Sequence, residues 1–121
     1  MINSKILIGI MSGTSLDGID IALTRIDKKE ISVLDFLHIN YSAELKEKIL
    51  NLHFPEKNEL EKSSMLSNEL AVLTGRGINR LLINNDLSAK QIKGVGYHGQ
   101  TIRHRPEKGF STQIGNADLL S

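Results

Sequence analysis

Three hydroxyls, two glycines and one carboxylate fall within a single short stretch of the chain, Ser12-Gly13-Thr14-Ser15-Leu16-Asp17-Gly18. Glycines let a backbone bend until several N–H groups face one concavity, and they carry no Cβ to hold an anion away. Ser12, Thr14 and Ser15 add hydroxyl donors. Asp17 repels phosphate on its own, but a carboxylate can hold magnesium through retained water, so it could share a site with a metal-bound nucleotide. The residue types therefore suit a nucleotide-phosphate cradle. The stretch is neither a G-x-x-x-x-G-K-[ST] loop nor a G-x-G-x-x-G dinucleotide turn. Composition alone favours a plain Gly/Ser hairpin turn without a ligand.

A second polar cluster lies near the other end, in Tyr97-His98-Gly99-Gln100-Thr101-Ile102-Arg103-His104-Arg105-Pro106. His98, Gln100 and Thr101 can donate to a polyol substrate, or can simply satisfy backbone groups in a polar loop. Arg103, Arg105 and Lys108 could attract phosphate or an acidic sugar, and a solvated basic loop is an equal reading. His98 and His104 lack a Cys, Asp or Glu companion at ligand spacing, so a zinc site is rejected.

The elements that must position these clusters are short. Lys5-Ile6-Leu7-Ile8-Gly9-Ile10-Met11 is an apolar run that reads as a strand buried on both faces. Ile19, Ile21, Leu23 and Ile26 mark a second strand, so the glycine-bearing stretch is the turn of a hairpin. Asp27-Lys28-Lys29-Glu30 is a charged turn, and a third strand from Ile31 to Ile39 completes an antiparallel meander. His38, a lone histidine on that strand, is given no role.

Ser42 then caps a helix whose apolar face is Leu45, Ile49 and Leu52, with Glu44 in its first turn and Pro55 ending it. Asn58, three residues before Glu61, reads as the cap of a longer helix with a stripe of Leu66, Leu70, Leu73, Ile78, Leu81 and Leu82. Gly75 and Gly77 inside it are read as sites of close packing on the sheet. Residues 84–86 close the helix, and Ser88 opens a short turn ending at Ile92. A brief glycine-rich strand follows at Gly94-Val95-Gly96-Tyr97-His98. If the helices cross the sheet, this strand runs parallel to the first, bringing His98, Gln100 and Thr101 towards the glycine-bearing turn. Residues 111–114 form a last strand, and Gly115-Asn116 opens a helix of which few residues follow, so the sequence reads as interrupted.

Met11-Ser12-Gly13-Thr14-Ser15-Leu16-Asp17-Gly18-Ile19-Asp20 closely resembles the N-terminal signature of the anhydro-N-acetylmuramic acid kinases, members of the actin, sugar-kinase and heat-shock-chaperone ATPase superfamily. The block from His98 to Pro106 resembles that family's H-G-Q-T-x-x-H-x-P segment, and Thr112-Gln113-Ile114-Gly115-Asn116 resembles its L-Q-I-G-[DN] segment. Three ordered blocks are specific. They span the chain, yet the family's enzymes are much longer, so the match is to their N-terminal part. Many superfamily members carry an aspartate at the end of the first strand; here Met11-Ser12 stands there, in agreement with this family.

The resemblance implies an α/β, ribonuclease-H-like (actin-like ATPase) half-domain: the N-terminal portion of the first lobe over residues 1–121, with the second lobe absent. It implies use of ATP and Mg2+ to open the 1,6-anhydro ring of anhydro-N-acetylmuramic acid with water, giving N-acetylmuramic acid 6-phosphate in cell-wall recycling. Ser12, Gly13, Thr14, Ser15, Leu16, Asp17, Gly18 and Ile19 would line the ATP phosphates, with Asp17 holding the metal through water. His98, Gln100, Thr101 and Arg103 would face the sugar. The catalytic aspartate is expected downstream of residue 121, so no catalytic residue is assigned here. The expectation from a different class is a non-catalytic remnant or interaction module with at most weak nucleotide affinity.

Composition sets the remaining bounds. A 121-residue chain with 40% hydrophobic and 24% charged residues reads as one small globular domain. A formal net charge of +1 gives no nucleic-acid footprint, and zero cysteines exclude disulfides. No apolar run reaches the roughly 18 residues of a membrane span, so a cytoplasmic location is expected without membrane association. The expected partner is a small-molecule sugar. Association of two copies through a face left exposed is also expected.

Overall fold

The computed structural model describes residues 5–12, 17–28, 30–53, 57–105 and 110–114, with 97–105 and 110–114 described as backbone only. Strand β1 (Lys5–Ser12) pairs antiparallel with β2 (Gly18–Asp27), which pairs antiparallel with β3 (Glu30–Asn40). Helices α1 (Ala43–Asn51) and α2 (Glu59–Asn84) follow, then a single 3₁₀ turn at Ala89–Gln91. Strand β4 (Ile92–Arg105) lies parallel to β1, and β5 (Phe110–Ile114) closes the sheet antiparallel to β4. The sheet order is β3-β2-β1-β4-β5. The meander, the crossover helices, the parallel fourth strand and the last strand all follow the sequence reading.

Two expectations change. The first concerns β1, which is buried on one face: Ile8, Ile10 and Ser12 are enclosed, while Lys5, Gly9 and Met11 are exposed. The helices among the described residues cover one side of the sheet, where Ile19, Ile21 and Leu23 of β2 join the core. Met11 is 60% exposed on the other side, with Phe36 and Val33 of β3 also exposed. The second concerns β4, which is not brief. It runs 14 residues, Ile92–Arg105, and continues past His98 through the stretch 99–105 read as loop. Its register slips against β1 between Ile10 and Ser12, and against β5 between Thr101 and Arg103, so extra β4 residues are absorbed as bulges.

Helix α1 starts as its sequence directs: the Ser42 hydroxyl accepts from the Leu45 amide at 3.1 Å, and Leu45 and Ile49 are buried. At α2 the cap differs. Asn58 has φ 57°, in the left-handed region, and makes no side-chain cap bond; a capping side chain needs the extended backbone that Ser42 has and Asn58 lacks. The body of α2 agrees with the stripe read from sequence, with Leu66, Leu70, Leu81 and Leu82 buried. The helix is continuous through both glycines. A Cβ built on Gly77 would meet the Ile21 and Ile39 Cδ1 atoms, each at 2.6 Å, so the glycine lets α2 lie close over β2 and β3.

Candidate functional site: the β1–β2 turn and the end of β4

The two polar clusters meet because β1 and β4 run parallel. Ser12, the last residue of β1, stands opposite Gln100 of β4. Between Ile10↔Tyr97 and Ser12↔Gln100 the β4 chain advances one residue more than β1, which puts the bulge at His98 and Gly99, beside the mouth of the turn. Gln100 is also opposite Ile114, Thr101 opposite Gln113 and Arg103 opposite Thr112. The second and third motif blocks are therefore neighbouring strands, and the second abuts the first.

Within the first block the residues divide by position. Gly13, Thr14, Ser15 and Leu16 lie outside the described residues. Ser12 is 4% exposed and shares the helix-covered side with Ile8 and Ile10. Ile19 is 2% exposed in the hydrophobic core, so a ligand could meet it only through its backbone. Asp17 is exposed, and its carbonyl accepts from the Tyr41 amide at 3.1 Å. Gly18 has a specific structural reason: a Cβ there would stand 2.0 Å from the Ile39 carbonyl oxygen. Only a residue without a side chain lets β3 approach this closely. His98, Gln100, Thr101 and Arg103 are placed by backbone alone.

An exposed carboxylate at the exit of a glycine-bearing turn fits a hard cation that keeps its waters, which is the donor set magnesium prefers. Among the described residues there is no cluster of three His, Cys, Asp or Glu side chains fit to hold a metal directly. A groove of about 520 Å³, lined by Asn40, Ser42, Asn68, Glu69 and Arg76 among others, opens beside the end of β3 on the helical side, and Asp17 and Gly18 are not among its described lining residues.

Sequence reasoning passed over one cluster here. His38 Nδ1 lies 2.5 Å from Asp20 Oδ1, and His38 Nε2 lies 2.9 Å from Asn40 Oδ1. The Asp20 carboxylate beside it holds the imidazole above the usual histidine range; burial acts the other way, and Asn40 and Asp17 add to the rise. Further along β3, Asp35 accepts from the Asn85 side chain and the Phe36 amide, each at 2.8 Å, and these two donors hold its carboxyl below the ordinary carboxylate range.

Taken together, the chain is an α/β domain in which a glycine-bearing hairpin turn, a parallel strand end and a returning strand gather at one end of a mixed sheet, an arrangement compatible with the N-terminal part of a kinase. Comparison with known proteins gives the family. A family model described as anhydro-N-acetylmuramic acid kinase matches residues 5–121. The anhydro-N-acetylmuramic acid kinase of Acinetobacter baylyi is 40% identical over 118 residues, covering 98% of this chain and 31% of that protein. Those of Thiobacillus denitrificans and Nitrosomonas europaea are 40% and 41% identical, each covering 94% of this chain and 30% and 32% of the relative. The chain belongs to the anhydro-N-acetylmuramic acid kinase family. It spans about a third of the length of the curated relatives it matches, over their N-terminal part.

Proposed function

We propose that this chain is the phosphate-binding segment of an anhydro-N-acetylmuramic acid kinase, the first part of a ribonuclease-H-like lobe that works with the remainder of a family-length protein. The observation that carries this reading is the parallel register that sets Ser12 opposite Gln100, because it brings motif blocks almost ninety residues apart to one sheet end. Residues 12–19 would line the nucleotide phosphates, and the exposed Asp17 carboxylate would hold magnesium through water. Gln100, Thr101 and Arg103, with His98 at the bulge, are the positions assigned to the anhydro sugar. When bound, Mg2+·ATP supplies the transferable phosphoryl group and neutralises its charge.

Phosphoryl transfer depends mainly on position and charge neutralisation, together with a base that activates the attacking group. This segment would supply the positioning, and the bound magnesium the neutralisation. The reaction that the resemblance implies, opening of the 1,6-anhydro ring by water with phosphorylation to N-acetylmuramic acid 6-phosphate, would give the whole protein a role in amino-sugar recycling from the cell wall. Cytoplasmic action fits that role.

A chimera tests this directly: residues 1–121 joined to the C-terminal two-thirds of the Acinetobacter baylyi relative. The expected result is ATP-dependent formation of N-acetylmuramic acid 6-phosphate. A chimera that folds, as judged by cooperative unfolding, yet forms no product would contradict the reading.

A further inference from the structure

Four consecutive residues at the end of β3 grip the exit of the β1–β2 turn. Tyr41 donates its amide to the Asp17 carbonyl at 3.1 Å, and Asn40 stands opposite Gly18 in the ladder. The Ile39 carbonyl oxygen occupies the place where a Gly18 side chain would stand. His38 stands opposite Asp20 and reaches it at 2.5 Å, while its second ring nitrogen meets Asn40 at 2.9 Å. The first three contacts involve backbone. His38 makes the one described side-chain clamp, and it joins Asp20, two residues past Gly18 on β2, to Asn40, the ladder partner of Gly18.

The ring geometry also sets a proton state. Both nitrogens face oxygen atoms, one of a carboxylate and one of an amide, and only the imidazolium can donate to both. The neutral ring keeps both contacts only if the Asn40 amide turns over to donate. The charged groups around the ring are Asp20 from β2 and Asp17 from the turn; β1 contributes the uncharged Met11 to the same cross-strand row.

We propose that His38 is a positioning residue for the phosphate turn: by bridging Asp20 and Asn40 it fixes the turn's exit on β3, and with it the Asp17 carboxylate. This rests on the phosphate reading given above. The clamp itself can be tested without a ligand.

The experiment uses the 121-residue chain and its His38→Ala, His38→Gln and Asp20→Asn variants. Amide hydrogen exchange at Tyr41, whose N–H bonds Asp17, is compared with exchange in the Leu66 to Leu82 part of α2. His38→Ala and Asp20→Asn should speed exchange at Tyr41 roughly two- to fivefold, the span an exposed ion pair supports, with α2 unchanged. His38→Gln, which retains one donor, should restore part of the protection. Wild-type exchange at Tyr41, corrected for intrinsic base catalysis, should also rise as pH passes through the histidine titration seen by NMR. Titration with a non-hydrolysable ATP analogue and magnesium should show affinity weakening by a similar factor in the same order of variants.

Unchanged Tyr41 protection in both His38→Ala and Asp20→Asn would overturn the clamp, whatever happens to nucleotide. If protection falls as expected but wild type binds no analogue, the clamp stands and the phosphate reading fails. If every variant binds the analogue as wild type does while Tyr41 exchange rises, His38 holds the strand without positioning the turn, and the proposal is overturned.

Discussion

At the scale of single residues, Gly18 is the sharpest constraint. Its missing side chain is required by a backbone oxygen 2.0 Å from where a Cβ would be, and a backbone cannot move aside as a side-chain tip can. Gly18→Ala should therefore cost at least about 2 kcal/mol, at the upper end of overpacking effects, read as a lower urea midpoint at unchanged slope. His38 gives a pH prediction with a definite sign. Its folded value is raised, so the pairing with Asp20 contributes in full below the ordinary value of 6.5 and is lost as pH rises through the folded value. The melting temperature of the chain should fall across that window, and Asp20→Asn should flatten the fall. Little of this pair was legible in the sequence. The Asp27–Glu30 turn by itself would set Leu37 opposite Asp20; a bulge between Leu23 and Thr24 slips the register by one residue and brings His38 there instead. No residue type announces that bulge.

At the scale of elements, the sequence was most informative where a periodicity or a cap acts locally. The hairpin, the third strand and the Leu66-Leu70-Leu81 stripe emerge as read, because alternation and 3.6-residue spacing reflect which side each residue buries. β4 was read too short. Its polar residues 98–105 do not alternate, since bulges break the period that alternation needs, and its pairing partners are β1 and β5, far away in sequence or not yet reached. The end of α2 is held by a long-range bond of the same illegible kind: Asn85 donates at 2.8 Å both to Asp35 of β3 and to the Leu81 carbonyl. Asn85→Ala should destabilise the chain by about 1 kcal/mol, the usual net worth of such bonds. It should also reduce acid sensitivity. Asp35 has a lowered folded value, so its contribution is present above the ordinary value of 3.8 and is lost as pH falls through the folded one. Equilibrium unfolding at two pH values, on wild type and variant, checks both.

At the scale of the whole molecule, the sheet has one face under the helices and one without cover from any described helix. Met11, Val33 and Phe36 stand exposed there, at 60%, 65% and 55%. Relatives about three times as long have further chain with which to cover such a face. On its own, the 121-residue chain is expected to self-associate through it. Sedimentation should show a concentration-dependent dimer that Phe36→Asp weakens, and a monodisperse monomer at all concentrations would contradict this. What the motifs made legible at this scale was the meeting of two blocks at one sheet end, because parallel pairing of the first and fourth strands follows from the crossover between them. What they left illegible is the uncovered face, since β1 is nearly continuous in apolar residues and so looks covered on both sides.

The central claim is that residues 12–19 bind nucleotide phosphate, and calorimetric titration of the chain with magnesium and a non-hydrolysable ATP analogue tests it most directly. Asp17→Ala removes an exposed carboxylate whose carbonyl bond to Tyr41 is made by the backbone, so the fold should survive the change. The expected result is magnesium-dependent binding by wild type, weakened at least about tenfold by Asp17→Ala and abolished by Gly13→Val, which puts a branched side chain into the turn. Magnesium-dependent binding of equal strength in all three, or none by a demonstrably folded wild type, would contradict it.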